Sequence, residues 1–413
     1  MKHGHLSQYF SGAAAKRLSA VETDPTRSNQ HEFGIIRPML EFLGTPTGKR
    51  EYPATFIYFP ADGEEPVTEE SYLTVYDSRA NQPNRSPEYR AYYPARSEAI
   101  RLAREGDLMV IARRQESDEL LVVITEQGAA EEQQLSFLFG FDDPGRLFQS
   151  LNETDLDTDR GPLDFTAKQI LEVVGIVAEE PPLDDGLHLD EMIRLFGSSF
   201  PTTREFSEYA RSTVEGVHPV EDPDEALIAW VEREEQLFRL FERYLLEHQL
   251  AKEFTSGSMD VDRFISLSLS VHNRRKSRAG HSFEGLIEAI LLANGVSFTR
   301  NGITENRSKP DFIFPSITAY HSSDFPQDRL TMLAVKSTLK DRWRQILAEA
   351  DRIPRKHLAT LQPGLTDNQL VEMNEARVQL VVARSMHEAY GLSARAQLMT
   401  LADLIDEIKQ RAN

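Results

Sequence analysis

Two short apolar runs that each meet a charged residue constrain this chain most. The run FIF at 312–314 follows Asp311, and the run MLAV at 332–335 is followed by Lys336. Short apolar runs bounded by turn-forming residues are typical of buried strands. A lysine at the end of a buried strand is costly unless its charge has a partner. The pattern therefore predicts two strands, one entered by a carboxylate and the other ended by a lysine that needs a partner for its charge.

The composition predicts a globular protein with more than one domain. The chain has 413 residues, of which 40% are hydrophobic and 27% charged, whereas a typical domain has roughly 100 to 150 residues. The 46 basic and 66 acidic residues give a net charge of −20. That balance argues against a protein that coats nucleic acid through its overall field. Any contact with nucleic acid must therefore be local.

Cysteine content and hydropathy exclude several other classes. The chain has no cysteine, so disulfides and thiolate zinc sites are excluded. The first residues, MKHGHLSQYF, lack the apolar core of a secretory signal. No apolar run approaches the roughly 18 to 20 residues that cross a bilayer. We expect a cytoplasmic protein with no membrane partner.

Shifts in sequence pattern predict three regions. Residues 1–151 are predicted to form a β-rich unit, most simply a small barrel, because short apolar or alternating runs recur between turn-forming residues. Residues 152–190 are rich in Asp, Glu, Pro and Gly, which predicts an acidic linker around one short helix at 167–178. Residues 191–413 become helical, and Asp224 is predicted to cap a long helix. The predicted strands of the first region are 54–59, 72–76, 108–113 and 120–125.

Two stretches combine residues that suit contact with nucleic acid. Arginines alternate with tyrosines between Arg79 and Arg96, which suits phosphates and base edges, although a solvated basic loop has the same composition. The run NRRKSR at 273–278 contains Arg and Asn, which pair with guanine and adenine edges, although a basic run is more often a solvated face. Its predicted base-reading residues are Asn273, Arg274, Arg275, Lys276 and Arg278.

A metal-assisted site needs more than one acid, and the sequence offers two further candidates. Glu284 lies on a predicted amphipathic helix that ends at Asn294 and Gly295. Glu349 is predicted to lie on a helix that begins at about Asp341, so it sits about 12 Å along that helix and points back towards Asp311.

The order of a PD dipeptide and a later strand lysine resembles the PD-(D/E)xK nuclease fold, in which the aspartate binds metal and the lysine orients the attacking water. The second acid of that pattern normally stands two residues before the lysine, where this chain has Ala334. The departure makes Glu349 the predicted replacement.

Longer blocks resemble one branch of that fold. NRRKSRAG, KPDFIFPS, MLAVKST and KDRWRQIL are similar to the catalytic domain of EcoRII-like type IIE restriction endonucleases. The resemblance implies that residues 191–413 have an α/β restriction-endonuclease-like fold, a central mixed sheet flanked by helices, with Mg²⁺ as cofactor. It also implies a homodimer, a companion DNA methyltransferase, and cleavage of double-stranded DNA at CCWGG or a related site.

The same resemblance implies roles for each region and residue. Residues 1–151 would form a B3-like pseudobarrel that binds a second DNA copy as effector and otherwise inhibits cleavage. The implied catalytic residues are Glu284, Asp311, Tyr320, Lys336 and Glu349, with Asp311, Glu349 and Glu284 as metal ligands. The implied base-reading triplet is Lys340, Asp341 and Arg342. The expected effector-binding residues are Lys16, His31, Arg79, Arg85, Glu88 and Arg90.

Two alternatives remain open at this stage. The N-terminal region diverges in its expected DNA-contacting loop, NQPNRSPEYRAYY, so the chain could be an endonuclease that depends on a modified base or on another sequence. A DNA-binding protein without catalysis is the alternative from another class.

Overall fold

The computed structural model describes residues 4–23, 31–61, 64–82, 84–141, 143–158, 163–178, 185–253 and 261–412. The chain divides into two compact units. Unit 1 comprises Met1–Pro181 with Pro363–Glu372 and Glu388–Arg395. Unit 2 comprises Pro182–Gln362, Met373–His387 and Ala396–Asn413. This division differs from the predicted one, because two short segments of the predicted 191–413 domain belong to unit 1.

Unit 1 is built on one eight-stranded sheet in the order β2-β5-β4-β3-β7-β6-β1-β8. Neighbouring strands are antiparallel except β3 and β7, which are parallel. The strands are β1 (Phe10–Arg17), β2 (Glu32–Gly34), β3 (Arg50–Phe59), β4 (Val67–Asp77), β5 (Tyr89–Tyr92), β6 (Leu108–Arg114), β7 (Leu120–Thr125) and β8 (Gln149–Asn152).

The central strands of this sheet are buried on both faces. In β7, Leu120, Val122 and Ile124 belong to one apolar core, and the alternate residues Leu121 and Val123 belong to a second. Burial on both faces explains why β7 reads as a continuous apolar run, since alternation is lost when neither face meets water. The four predicted strands correspond to β3, β4, β6 and β7. Sequence reasoning missed β1, β2, β5 and β8.

Short helices of unit 1 cover the sheet, and they include the region predicted as a linker. Leu156, Ile170 and Leu171 are buried in the second apolar core, as is Ala178. The predicted linker, 152–190, is therefore not a solvated connection up to Ala178. The helices are α1 (Ala20–Thr23), α2 (Leu40–Leu43), α3 (Glu98–Leu102), α4 (Ala130–Phe139), α5 (Glu153–Thr158) and α6 (Phe165–Val173).

Unit 2 contains a mixed five-stranded sheet in the order β13-β12-β11-β10-β9. The pairs β9–β10 and β10–β11 are antiparallel, whereas β11–β12 and β12–β13 are parallel. The central mixed sheet that was predicted here is confirmed. Its strands are β9 (Thr299–Arg300), β10 (Phe312–Phe314), β11 (Thr331–Val335), β12 (Lys356–Ala359) and β13 (Val378–Val381).

Long helices precede this sheet. An aromatic cluster that includes Phe206, Phe238 and Phe241 joins α7, α8 and α9. The remaining helices, including two that lie partly or wholly in unit 1, are α7 (Asp185–Phe196), α8 (Thr203–Ser212), α9 (Pro223–Glu253), α10 (Val261–Ala293), α11 (Ile317–His321), α12 (Asp367–Glu375), α13 (Leu392–Arg395) and α14 (Leu401–Ala412). Over the described ranges, no helix is long and apolar enough to span a membrane.

Two helices differ from their prediction in ways that matter for the site. Helix α10 runs unbroken from Val261 to Ala293, so it contains the basic run 273–278 as well as the predicted helix around Glu284. The segment after β11 is a 3-10 helix, Lys340–Ala348, and Glu349 follows it in an extended conformation. Glu349 is therefore not on the predicted helix but at its exit.

The predicted cap of α9 is wrong by two residues. Asp222 accepts a hydrogen bond from the Glu225 amide at 3.0 Å and caps α9. Asp224 instead accepts hydrogen bonds from the amides of Arg384, Leu401 and Ala402 at 3.2, 3.0 and 3.0 Å, so it caps the start of α14. Aspartate is a favoured capping residue, so the sequence could not distinguish Asp222 from Asp224. The contact of Asp224 with α14 shows that it caps that helix instead.

These two aspartates give a matched test of the fold. We expect Asp224→Ala to lower the free energy of unfolding by about 2 to 4 kcal/mol, because three amides lose a buried, charged acceptor. We expect Asp222→Ala to lower it by about 1 kcal/mol, the usual effect of losing one cap. Urea unfolding followed by circular dichroism measures both, and equal effects would contradict the assignment of Asp224 to α14.

Candidate active site

The antiparallel pairing of β10 and β11 brings Asp311 and Lys336 together. Asp311 precedes β10, and Lys336 follows β11, whose Leu333 lies opposite Phe312. Asp311 Oδ2 accepts hydrogen bonds from the Val335 amide at 2.7 Å and from Lys336 Nζ at 2.9 Å. The side chain of Lys336 is 22% exposed, so the ammonium group can still meet a ligand. The resemblance to the PD-(D/E)xK fold implied that these two residues share a site.

A second carboxylate, Glu284, reaches the same site from α10. Arg300 of β9 donates to Glu284 Oε2 at 3.0 Å and to Glu288 Oε2 at 2.6 Å. Burial raises the pKa of Glu284, the charge of Asp311 adds to the rise, and Arg300 and Lys336 oppose it. Glu284 therefore interacts electrostatically with both members of the Asp311–Lys336 pair.

Arg300 is a residue of this site that sequence reasoning missed. It lies opposite Phe312 in the β9–β10 pair, and its guanidinium group stands 5.5 Å from the centre of the Phe312 ring. A strand of two residues gives almost no periodicity signal, so nothing in the sequence separated Arg300 from a surface arginine.

The third carboxylate, Glu349, follows Lys336 in the sequence and interacts electrostatically with the Asp311–Lys336 pair. Burial raises the pKa of Glu349, the charge of Lys336 lowers it, the charge of Asp311 raises it again, and Lys356 lowers it. Ala334, the position of the acid that this chain lacks, is fully buried. Glu349 thus interacts electrostatically with Lys336 and Asp311, and its role as a metal ligand stays a prediction.

Tyr320 lies next to this region, and its hydroxyl group has defined partners. The side chain is buried, and Tyr320 Oη donates to Glu305 Oε2 at 2.5 Å. It also accepts a hydrogen bond from the Arg352 amide at 3.3 Å. Burial raises the pKa of Tyr320, and its hydrogen bond to Glu305 raises it further. The hydroxyl group therefore holds the turn after Glu349 and is not poised to ionise.

The basic run in α10 divides between buried and exposed side chains. Arg278 is 8% exposed and its guanidinium group lies 4.4 Å from the Phe206 ring centre. Arg275 forms an ion pair with the buried Glu242 at 2.6 Å. Asn273 is exposed and Arg274 is half-buried. Arg278 therefore packs in the aromatic cluster, and we remove it from the set of base-reading residues.

Some predicted base-reading side chains lie outside the described residues. The backbone of Lys340, Asp341 and Arg342 forms the start of the 3-10 helix, but their side chains are not described, and neither is that of Lys276. Their predicted roles stay predictions.

In unit 1, ion pairs join three of the predicted effector-binding residues, Arg79, Glu88 and Arg90. Arg90 forms ion pairs with Glu88 and, at 3.4 Å, with Glu32, while Arg79 also pairs with Glu88. Arg85 is exposed. The backbone carbonyl of His31 accepts the Tyr93 amide at 3.0 Å.

Lys16 stands apart from this group. It is 6% exposed and forms an ion pair with Glu22 at 2.6 Å. Because its ammonium group is buried and paired, we remove Lys16 from the set of DNA-contacting residues.

Strand register brings four other residues of unit 1 together on one face of the sheet. Glu32, Tyr92, Thr74 and Glu51 lie directly opposite one another across β2, β5, β4 and β3. They border a groove of about 510 Å³, which is also lined by Lys49, Tyr72 and Tyr76. The sequence predicted some arginines of this region, but not the tyrosine-lined groove, because the register of four strands decides which residues share a face.

The acids of unit 2 suit a hard divalent cation by their chemistry. Asp311, Glu284 and Glu349 offer carboxylate oxygens, which Mg²⁺ prefers. Burial and the charge of Asp311 both raise the pKa of the two glutamates, and a dication would relieve that repulsion. Within the part of the chain that the structure describes, no three such side chains are already close enough to hold an ion. The donor set fits a dication, and its assembly requires side-chain movement.

The fold and the site define an α/β domain with an aspartate–lysine pair at the ends of adjacent strands. Residues 238–405 match a family described as EcoRII C terminal. The predicted resemblance to EcoRII-like restriction endonucleases is confirmed over this segment.

Two known enzymes are similar to the chain over part of its length. The type II restriction enzyme EcoRII of Escherichia coli is 44% identical over 238 residues, 57% of this chain and 56% of that enzyme. The type II restriction enzyme SsoII of Shigella sonnei is 25% identical over 213 residues, 45% of this chain and 67% of that enzyme. The first match thus spans little more than half of EcoRII.

Solved structures give weaker likenesses. Metal-depleted Ecl18kI in complex with uncleaved DNA has a TM-score of 0.43 and 20% identity, and covers 55% of this chain and 85% of that one. The complex of the restriction endonuclease PspGI with substrate DNA has a TM-score of 0.38 and 18% identity, and covers 60% of this chain and 97% of that one.

The burial of Arg278 makes a prediction that separates packing from base reading. We expect Arg278→Ala to lower the free energy of unfolding by about 2 to 4 kcal/mol, because the cluster loses cation–π contacts and leaves a cavity. We expect the exposed Asn273→Ala to change it by less than about 0.5 kcal/mol. Thermal unfolding measures both. A stable Arg278→Ala protein with altered sequence preference would refute the packing role.

Proposed function

We propose that this chain is a type II restriction endonuclease that hydrolyses phosphodiester bonds of double-stranded DNA at a specific sequence. One observation carries the proposal: the Asp311–Lys336 pair, with Glu284 and Glu349 near it, lies inside the segment that matches the EcoRII C-terminal family. An aspartate and a lysine at adjacent strand ends can serve structure alone, but the charge of Asp311 also raises the pKa of Glu284 and of Glu349, and a bound cation would relieve that repulsion.

The reaction sets requirements that these residues can meet. The attacking water loses a proton as its oxygen forms a P–O bond, the opposite P–O bond breaks, and the leaving oxygen takes up a proton. Lys336 Nζ, held 2.9 Å from Asp311 Oδ2, can donate a hydrogen bond to the attacking water or to a phosphoryl oxygen. Its fixed positive charge stabilises the negative charge that develops on the phosphate.

The acids would hold the cofactor that this chemistry requires. Asp311 and Glu349, with Glu284, would bind a divalent cation, for which we propose Mg²⁺. Such an ion supplies Lewis-acid stabilisation of the phosphoryl group when it is bound. Arg300 bridges Glu284 and Glu288 and thereby orients Glu284.

Substrate recognition in unit 2 would use the base-reading residues predicted from the sequence, without the buried Arg278. We propose Asn273, Arg274, Arg275 and Lys276 of α10 and the triplet Lys340, Asp341 and Arg342. Arg and Lys suit guanine acceptors, and Asp can accept from cytosine N4. A CC/GG-containing site such as CCWGG, which the family resemblance implies, fits this chemistry. A homodimer and a companion methyltransferase complete the proposal.

For unit 1 we propose a B3-like domain that binds a second DNA copy and regulates cleavage. The support is the polar sheet face with its tyrosine-lined groove of about 510 Å³ and the ion pairs that join Arg79, Glu88 and Arg90 to Glu32 of that groove. Glu88 and Glu32 orient Arg90, and a positioned arginine can address a base edge better than a free one.

One observation favours a second candidate, a modification-dependent endonuclease. Tyr72, Tyr76 and Tyr92 line the same groove as Glu32 and Glu51. Aromatic rings beside carboxylates can stack on a base and accept from its amino group. Digestion of methylated and unmethylated copies of one DNA, side by side, decides between the two candidates, since only the second predicts cleavage restricted to methylated DNA.

The proposed chemistry predicts the effect of removing its central acid. We expect Asp311→Ala to lower the rate of plasmid cleavage with Mg²⁺ by at least about 100-fold, the usual effect of losing one main electrostatic contact. Asp328→Ala removes an exposed acid of the same unit and should cut like the unchanged protein. Cleavage by Asp311→Ala at the rate of the unchanged protein would overturn the catalytic assignment.

The proposed regulation predicts dependence on a second DNA molecule. We expect run-off sequencing of cleaved plasmid to show one recognition sequence, and cleavage to speed up when a short duplex of that sequence is added. Arg85→Ala, which removes an exposed cation from unit 1, should weaken the activation and leave the cut sequence unchanged. Identical rates with and without the duplex would contradict effector control.

A further inference from the structure

A buried lysine at the start of β12 contacts the backbone beside one of the proposed metal ligands. Lys356 is 6% exposed and lies opposite Val378 in the parallel pair β12–β13. Its Nζ donates to the backbone carbonyl of Glu349 and, at 2.7 Å, to that of Ala350. A buried ammonium group is unfavourable unless it is hydrogen-bonded. These two carbonyls therefore stabilise the buried ammonium group of Lys356.

The turn that receives this lysine has an unusual backbone. Ala350 has φ of +49°, in the left-handed region that residues with a side chain rarely adopt. A strained conformation persists only where its surroundings fix it. Here the surroundings are side chains that bind consecutive backbone groups.

Three other side chains hold the amides of the same turn. Each accepts one of the three backbone amides that follow Glu349, and they come from residues 304, 305 and 320. The contacts join the Ala350 amide to Thr304 Oγ1 at 3.3 Å, the Asp351 amide to Glu305 Oε2 at 3.2 Å, and the Arg352 amide to Tyr320 Oη at 3.3 Å. Together with Lys356, they fix five backbone groups within four residues.

We propose that Lys356 is a positioning residue for Glu349, which it holds through the backbone so that the carboxylate faces Asp311. The inference rests on the proposed function, because it assigns a purpose to the position of a metal ligand. It accounts for how the chain replaces the acid that is missing at Ala334.

Glu349 needs such positioning contacts because of the place in the fold where it lies. An acid at position 334 would be oriented by strand pairing, because β11 is bonded to β10 and β12 on both sides. Glu349 instead leaves a 3-10 helix, where no strand pairing fixes the backbone. Groups that orient a metal ligand typically change metal affinity by about 10-fold to 100-fold when they are removed.

The test compares full-length variants that keep or remove the two donor contacts. Lys356→Met keeps the length of the side chain without a donor, and Lys356→Gln keeps a neutral donor. We expect Lys356→Met to weaken Mn²⁺ binding, measured by electron paramagnetic resonance without DNA, by about 10-fold or more, and Lys356→Gln to weaken it less. The Mg²⁺ concentration at half-maximal cleavage should rise by the same factor, and the rate should recover at saturating Mg²⁺.

Controls separate positioning from a general effect on the fold or charge. Lys409→Met removes a positive charge of unit 2 whose ammonium group contacts Asn294 at 3.2 Å, and it should bind Mn²⁺ like the unchanged protein. DNA affinity without metal, measured by fluorescence anisotropy, should change by less than about twofold in the Lys356 variants, since their change lies in the orientation of a metal ligand.

Each outcome decides the proposal. A folded Lys356→Met protein that binds Mn²⁺ as tightly as the unchanged protein would overturn it. If neither Lys356 variant folds, Thr304→Val, which removes the acceptor of the Ala350 amide, takes its place, and unchanged Mn²⁺ affinity there would equally overturn it. An unchanged protein that neither binds Mn²⁺ nor cuts DNA would refute the proposed function itself, which distinguishes the two failures.

Discussion

The ion pair between Asp311 and Lys336 is the interaction on which the candidate site depends. It exists because β10 and β11 run antiparallel, so the residue that enters one strand stands beside the residue that leaves the other. Asp311 also accepts the Val335 amide, which ties its carboxylate to the backbone. Both other acids of the site interact electrostatically with this pair. The charge of Asp311 raises the pKa values of Glu284 and Glu349, and the charge of Lys336 lowers them.

The other two acids are brought to the pair by different physical means. Glu284 projects from a long helix, and Arg300 fixes it by an ion pair. Glu349 comes from a turn whose conformation no regular element dictates, so side chains from neighbouring segments bind its backbone, Lys356 among them. The candidate site has no acid at position 334, yet it has three carboxylates. Tertiary contacts fix the backbone of Glu349, whereas strand pairing would fix the backbone of an acid at position 334.

Burial decides which basic residues can serve recognition. Arg278 and Lys16 are both predicted contacts by sequence, yet one packs among phenyl rings and the other is paired with Glu22. Arg90 is also paired, with Glu88 and Glu32, but on a face that borders an open groove. In a chain with a net charge of −20, much of the positive charge is already neutralised within the fold, so exposure is a better guide to function than charge alone.

The sequence by itself determined the parts of this protein that local pattern encodes. The apolar runs predicted β10 and β11, the resemblance of the PD…K order implied that Asp311 and Lys336 share a site, and the absence of an acid at Ala334 pointed to Glu349. Only the tertiary structure decided that Asp224 caps α14, that Arg300 joins the site, and that Lys356 holds the turn after Glu349. Those contacts join residues far apart in the chain or in irregular segments, where neither periodicity nor spacing carries information about the partner.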